Sequence, residues 1–365
     1  MVDVTIVVDA LGPQLSGIGR YVWELCRRVP LEPNVGRVGY FAHGTYVDAL
    51  DRILDGRSPG TRRMPQWLER YFTSRRLDGS VVHAPNYFLP RHANTGIITV
   101  HDLSVFRHPE THPADRIQAF ERDFQDSLAR AVHVITDSET VRSELIADFG
   151  VPQSAVTSVH LGVAGEFRPR DAAEIADELA ALGLSPGSYA LCVSTLEPRK
   201  KIAELICAWR ELPEIVRLSN PLVLVGAQGW LNEKLHEEIQ AGIAQGWLKH
   251  LGYVPDSRLA ALYAGARLFL YPSTYEGFGL PPLEAMASGV PVLVANRSCL
   301  PEICGDAAGY VDPDDVTGFS EAIATALSDN GWRAQACRRG LERAAAFTWE
   351  ACITKTVNIY GSVFR

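Results

Sequence analysis

Short apolar runs separated by turn residues recur along this chain and alternate with stretches of helical periodicity. In the first half they fall at residues 4–8, 38–43, 80–84, 96–100, 133–136 and 156–161. In the second half they fall at 189–193, 222–226, 266–271 and 290–295. These runs are nearly continuous in apolar character rather than alternating, which is the pattern of strands covered on both faces in a parallel sheet. Between them, Tyr21, Leu25 and Val29 recur at helical spacing, and Pro255 ends a segment whose next helix Asp256 or Ser257 can cap. Strand, helix, strand repeated in this way predicts an α/β protein. At 365 residues the chain is long enough for two domains. The charged, proline-containing stretch Phe167-Arg-Pro-Arg-Asp171 reads as the linker.

One stretch organises the second half, running from Tyr271 to Gly289. The strand over 266–271 enters a loop with two glycines, and a helix opens at Pro281-Pro282, where a missing N–H costs nothing. Gly289 stands where a helix C-terminus takes a left-handed residue. Such a loop aims backbone N–H groups and a helix N-terminus at one point, an anion site suited to phosphate. Glu276 lies just before the glycines, and Glu284 is placed in the first helical turn. Eight helical residues span at most about 12 Å, the scale of a diphosphate with a sugar on either side. Carboxylates accept from vicinal hydroxyls, so one can hold a ribose and the other a hexose.

Further candidates lie at other strand ends. Gly17 and Gly19 follow the first strand without the third glycine of a dinucleotide fingerprint, so a plain strand–helix turn is the alternative to a ligand loop. His101, with Asp102 after it, ends the strand over 96–100, where open α/β sheets place ligands. Ser194-Thr-Leu-Glu-Pro-Arg-Lys-Lys201 puts Arg199 and Lys200 beyond another strand end, fixed positive charge of the kind a departing diphosphate requires. Within Thr136-Asp-Ser-Glu-Thr140, Ser or Asp is a natural helix cap. Residues 61–76 carry five Arg against one Glu, with Trp67, Leu68, Tyr71 and Phe72 on one helical stripe. That segment either packs on the sheet or docks on an anionic membrane.

The net charge of -8 argues against a general nucleic-acid binder. Seven scattered cysteines without zinc spacing suggest reduced thiols and a cytoplasmic compartment. No metal cluster or cofactor is expected. The acidic N-terminal strand and the lack of a long apolar run suggest neither a signal peptide nor a spanning helix.

The motif Glu276-Gly-Phe-Gly-Leu-Pro-Pro-Leu-Glu284-Ala-Met-Ala-Ser-Gly-Val-Pro-Val resembles the donor-sugar signature of retaining GT-B glycosyltransferases. It is most similar to glycosyltransferase family 4, in its bacterial polysaccharide mannosyltransferase-like branch. The likeness extends over residues 1 to about 360. It implies two Rossmann-like domains facing a cleft: residues 1–168 for the acceptor and 169–346 for the donor, with a C-terminal helix over 347–365 crossing back to the first. It further implies that Gly17 and Gly19 approach the donor diphosphate, and that His101 packs against the donor sugar and the reaction centre. The 136–140 segment would lie near the acceptor. Lys200, and less directly Arg199, would meet the diphosphate; many relatives carry Arg where this chain has Ser194. The base would stack at Tyr253 and Val254, and Glu276, Gly277, Phe278, Gly279, Leu280 and Glu284 would hold the rest of the donor. GDP-mannose is the donor implied first, a UDP-hexose the alternative. The acceptor is a glycan or lipid-linked saccharide of O-antigen or exopolysaccharide type. No metal is expected to be needed, and retention by front-face attack is implied, because no carboxylate pair of the double-displacement kind is evident. A sugar phosphorylase or epimerase, or a silent lectin-like scaffold, are the rival readings.

Overall fold

A computed structural model describes residues 1–56, 73–227, 229 and 233–363. The chain divides into two compact units. The first comprises Met1–Leu103, Ala114–Gly162 and Thr348–Arg365, and the second Ser104–Pro113 and Val163–Phe347. The division thus falls at Gly162/Val163 rather than within 167–171. Phe167 is buried against the Tyr263 ring at 5.4 Å, so the supposed linker is anchored in the second unit by its one large apolar side chain. The short segment Ser104–Pro113 also groups with the second unit, which sequence periodicity gave no reason to expect.

The first unit is built on seven strands: β1 (Val2–Val7), β2 (Val35–Ala42), β3 (Thr45–Val47), β4 (Val81–Ala84), β5 (Gly96–Val100), β6 (Ala131–Thr136) and β7 (Val156–Ser158). Their spatial order is β3-β2-β1-β4-β5-β6-β7. All neighbouring pairs are parallel except β2 and β3, an edge hairpin absent from the sequence reading. Its two-residue turn is His43-Gly44, with φ of 49° and 87°. Two positive φ values are what a type I′ hairpin demands, and His in place of the usual Asn hid the signal. The helix Gly17–Arg28 buries Tyr21 and Leu25 on one face, as their spacing predicts. The last helix, Trp349–Val363, belongs to this unit: the Tyr360 hydroxyl meets His83 Nδ1 at 2.7 Å, and Trp349 stacks on Tyr21 at 6.5 Å.

The second unit holds six parallel strands: β8 (Ala190–Val193), β9 (Leu222–Val225), β10 (Leu248–His250), β11 (Leu268–Tyr271), β12 (Val292–Ala295) and β13 (Ala308–Val311), in the order β10-β9-β8-β11-β12-β13. Trp209, Trp247 and Phe319 fill the core on one face of this sheet, together with Leu205, Leu224 and Leu270. In both sheets the chain steps outward from one strand and then returns to its other side. The reversal lies between β1 and β4 in the first unit and between β8 and β11 in the second. A crevice opens beyond the strand C-termini at such a point, because the two flanking loops diverge to opposite faces. Among the described residues no helix is long and apolar enough to cross a membrane. Most of the basic stretch 61–76 lies outside the described residues; its end, 73–76, is helical.

Candidate active site

The reversal point of the second sheet gathers most of the residues singled out from sequence. Beyond β8 the chain makes a single turn at Pro198–Lys200, and Lys201 adopts a left-handed conformation before the helix Ile202–Glu211. Beyond β11 a loop reaches Gly279, at φ 99°, and the helix Leu280–Ala287 follows. The two loops are stitched together. Thr274 N–H donates to the Arg199 carbonyl at 2.9 Å, and the Arg199 guanidinium donates to the Tyr275 carbonyl. Lys200 Nζ meets Glu276 Oε1 at 2.5 Å, Arg199 Nη1 lies 3.5 Å from Glu276 Oε2, and the Tyr271 hydroxyl donates to Glu276 at 2.9 Å. Ser298 pins the backbone from the next loop, donating to the Glu276 carbonyl at 2.6 Å and accepting from its N–H at 3.2 Å.

Glu276, Arg199 and Lys200 are each only 8% exposed. Burial alone would push the Glu276 carboxyl up, but the Lys200 and Arg199 charges outweigh it and hold the group down to about 2. The sequence reading gave Glu276 to sugar hydroxyls and Lys200 to phosphate separately; the structure joins them in one buried ion pair. Lys200 has three N–H donors, so a phosphate oxygen can be added without dissolving the pair.

The glycine loop supplies unspent donors. Among the described residues the N–H groups of Gly277, Gly279 and Leu280 have no hydrogen-bond partner, although Gly277 and Gly279 are buried. The helix starts at Leu280, one residue earlier than expected, so Glu284 is its fifth residue and not in the first turn. Pro281 and Pro282 have no N–H to donate, so the free donors here belong to the glycine loop and Leu280. At the other end the helix closes as predicted. Gly289 has φ 75°, its N–H donates to the Met286 carbonyl and that of Val290 to Ala285, the paired bonds of a Schellman cap.

Ser194 stands at the end of β8 with its Oγ buried and unsatisfied. Loops beyond β8, β9 and β10 run on as linked backbone, Ser194 N–H to the Val225 carbonyl at 2.9 Å and Gly226 N–H to that of Gly252 at 2.8 Å. Tyr253 and Val254 follow, two strands away from Lys200; Tyr253 is 44% exposed, and Val254 is buried. A concavity of about 780 Å³ adjoins the cluster, lined in part by Glu197, Arg199, Thr274 and Lys201, but not by Lys200 or Glu276. Among the described residues no group of three or more His, Cys, Asp or Glu could hold a metal ion.

The first unit holds the remaining candidates. Ser16 caps the helix Gly17–Arg28 by accepting from Gly19 N–H at 3.1 Å. A Cβ on Gly19 would stand 3.1 Å from the Ala10 carbonyl, so this glycine is explained by the turn itself. Gly17 is exposed at the helix start. His101 ends β5 but is not open to a sugar through its ring nitrogens. Nδ1 lies 2.6 Å from Asp137 Oδ2, and Nε2 lies 2.8 Å from the Pro85 carbonyl. Burial opposes a charge on the ring, yet the Asp137 carboxylate prevails and raises the His101 pKa. Both nitrogens face acceptors, an arrangement the imidazolium satisfies in full. Asp137 thus serves His101, while Ser138 caps the helix Glu139–Phe149 by accepting from Val141 N–H. Asp137, Tyr271 and Ser298 were missed as site residues, because their partners are remote in sequence.

Comparison with known proteins places this geometry. Residues 178–343 match the family model described as glycosyl transferases group 1. The chain is 38% identical over 365 residues to the O-antigen chain mannosyltransferase B of Escherichia coli, covering 95% of this chain and 96% of that one. In fold it matches the sucrose-phosphate synthase of Thermosynechococcus elongatus at a TM-score of 0.73 and 21% identity, over 100% of this chain and 99% of the other. It also matches Anabaena HepE in complex with UDP-glucose at 0.74 and 18%, over 99% and 100%. Two Rossmann-like sheets, a reversal-point cluster on the second and a near full-length relative agree: the chain belongs to the group 1 glycosyl transferases, enzymes of the GT-B fold, and is a hexosyltransferase.

Proposed function

We propose that this enzyme moves mannose from GDP-mannose to a saccharide acceptor in the assembly of an O-antigen-like polysaccharide, with retention of anomeric configuration. The observation that carries the reading is the buried Lys200–Glu276–Arg199 cluster beside the unspent N–H groups of Gly277, Gly279 and Leu280. Fixed positive charge and free N–H groups at one point suit a diphosphate that gains negative charge as it leaves. The acceptor hydroxyl attacks the anomeric carbon as the bond to phosphate breaks, and its proton passes to the departing phosphate oxygen. Lys200, Arg199 and the loop amides then stabilise the diphosphate, a role assigned to them rather than to a metal; Glu284 and Glu276 take hydroxyls of the bound donor. The identity to an O-antigen mannosyltransferase supports mannose. The likeness to a protein bound to UDP-glucose supports a second reading, a UDP-hexose donor on the same loops. Placement at the inner face of the cell membrane, through the basic stretch 61–76 and a lipid-linked acceptor, belongs to the same proposal.

Melting curves against a panel of nucleotide sugars test the donor, since a ligand of the folded state raises the midpoint. GDP-mannose should give the largest shift and, with a mannose oligosaccharide, should release GDP in the presence of EDTA. A larger shift with UDP-glucose would transfer the assignment to the second reading, and no shift with any nucleotide sugar would remove both. Liposome co-sedimentation unchanged by charge reversal at Arg62, Arg63, Arg75 and Arg76 would end the membrane reading.

A further inference from the structure

The reversal point of the first sheet, between β1 and β4, carries a residue whose backbone the fold anchors on both sides and whose side-chain amide it leaves unused. Beyond β4 the chain turns through Pro85, Asn86 and Tyr87 before reaching β5. Pro85 is fixed through its carbonyl, which accepts from His101 Nε2 at 2.8 Å, with His101 held in turn by Asp137. Tyr87 is fixed three times over. Its N–H donates to the Thr99 carbonyl at 3.0 Å, its hydroxyl accepts from Asp102 N–H at 2.9 Å, and its ring packs against Phe120 at 5.0 Å. Tyr87 also sits at φ 62°, a left-handed conformation that a bulky L-residue adopts only when its surroundings impose it.

Asn86 lies between these two anchors. It is partly exposed, and among the described residues its side-chain amide makes no hydrogen bond. A strained backbone, a buried His–Asp pair and an aromatic cluster therefore combine to present one neutral amide at the place where a parallel sheet receives its ligand. We propose that Asn86 is a saccharide-binding residue of this enzyme, its amide exchanging hydrogen bonds with a pyranose hydroxyl of a substrate. This rests on the transferase reading above. An amide offers both a donor and an acceptor, which matches a hydroxyl; it offers no charge to a phosphate. His101 and Asp137 then act as positioning residues, setting the turn through the Pro85 carbonyl and not touching the sugar with their paired atoms.

The test uses the full chain, GDP-mannose and UDP-glucose as donors, and a short mannose oligosaccharide as acceptor, with Asn86→Ala and Asn86→Asp beside the wild type. Asn86→Ala should lower kcat/KM by roughly tenfold or more through loss of the hydrogen bonds. A raised KM for the oligosaccharide places the hydroxyl on the acceptor, and a raised KM for the nucleotide sugar places it on the donor. Melting temperature and affinity for free GDP should not change, since the amide bonds nothing in the protein and does not suit a phosphate. Asn86→Asp keeps the shape but loses the N–H donors, and should fall with Asn86→Ala. Turnover within twofold of wild type for both substrates in Asn86→Ala would overturn the inference, as would a fall confined to a variant that melts early. A wild type that releases no nucleotide from either donor would instead bring down the transferase reading, and this one with it.

Discussion

Removing the Lys200 ammonium separates what the buried pair does for stability from what it does for chemistry. Glu276 is 8% exposed and held down to about 2 from its usual 4.5, with burial opposing and Lys200 the strongest of the charges that prevail. That displacement corresponds to about 3 kcal/mol of folding stability at neutral pH. Lys200→Met takes away the cation at 2.5 Å and leaves Arg199 Nη1 at 3.5 Å as the nearest cation, with the Tyr271 hydroxyl still donating. The carboxylate is then buried and undercompensated, so the variant should lose about 3 kcal/mol. For a unit of this size the melting temperature should fall by about 6–12 °C. The sign with pH follows from the direction of the shift. The folded value lies below the unfolded one, so the contribution is full above about pH 4.5 and is lost as pH falls towards 2. Urea denaturation across that range should show a steep acid limb in the wild type and a shallower one in Lys200→Met. The double variant Lys200→Met/Glu276→Gln buries neither charge and should regain most of the lost stability while remaining inactive in transfer. A Lys200→Met protein that unfolds within about 0.5 kcal/mol of wild type, or that transfers at the wild-type rate, would refute the reasoning.

Other expectations follow from the same contacts. Because Asp137 raises the His101 pKa, the contribution of the His101 imidazolium to stability is full below about pH 6.5 and is lost as pH rises through the elevated value, while burial raises the Asp137 pKa and offsets part of the pair's gain; Asp137→Asn should flatten that alkaline limb in a stability titration. Tyr271→Phe removes a hydrogen bond to a buried carboxylate and should cost about 2 kcal/mol by denaturant titration. A Cβ on Gly226, at φ 144°, would stand 1.9 Å from the Ser194 carbonyl oxygen. Gly226→Ala should therefore cost about 3 kcal/mol or more and weaken nucleotide binding measured by calorimetry, by pushing the β8 and β9 loops apart.

Much of the architecture was open to reading from residue order alone. Continuous apolar runs such as 96–100 and 222–226 could be satisfied only by burial on both faces, and they became the parallel strands β5 and β9. The Gly289 cap and the helix after Gly279 were likewise local, because a left-handed turn and a proline-led start are decided by backbone sterics within a few residues. Short edge strands were not legible: β3 has three residues, and its His-Gly turn lacks the usual composition.

Pairing across distance was decided only in three dimensions. Glu276 and Lys200 are 76 positions apart, and His101 and Asp137 are 36 apart; no periodicity links them. The reversal between β8 and β11 brings Lys200 to Glu276, the pairing of β5 with β6 brings His101 to Asp137, and burial then favours the ion pairs that form there. The sequence by itself determined where the glycine loop stands, beyond a strand end and ahead of a proline-led helix, because those turns are set by local backbone sterics. Tertiary structure decided that Glu276 is locked to Lys200, that the His101 nitrogens are already taken, and that the Asn86 amide has no partner among the described residues.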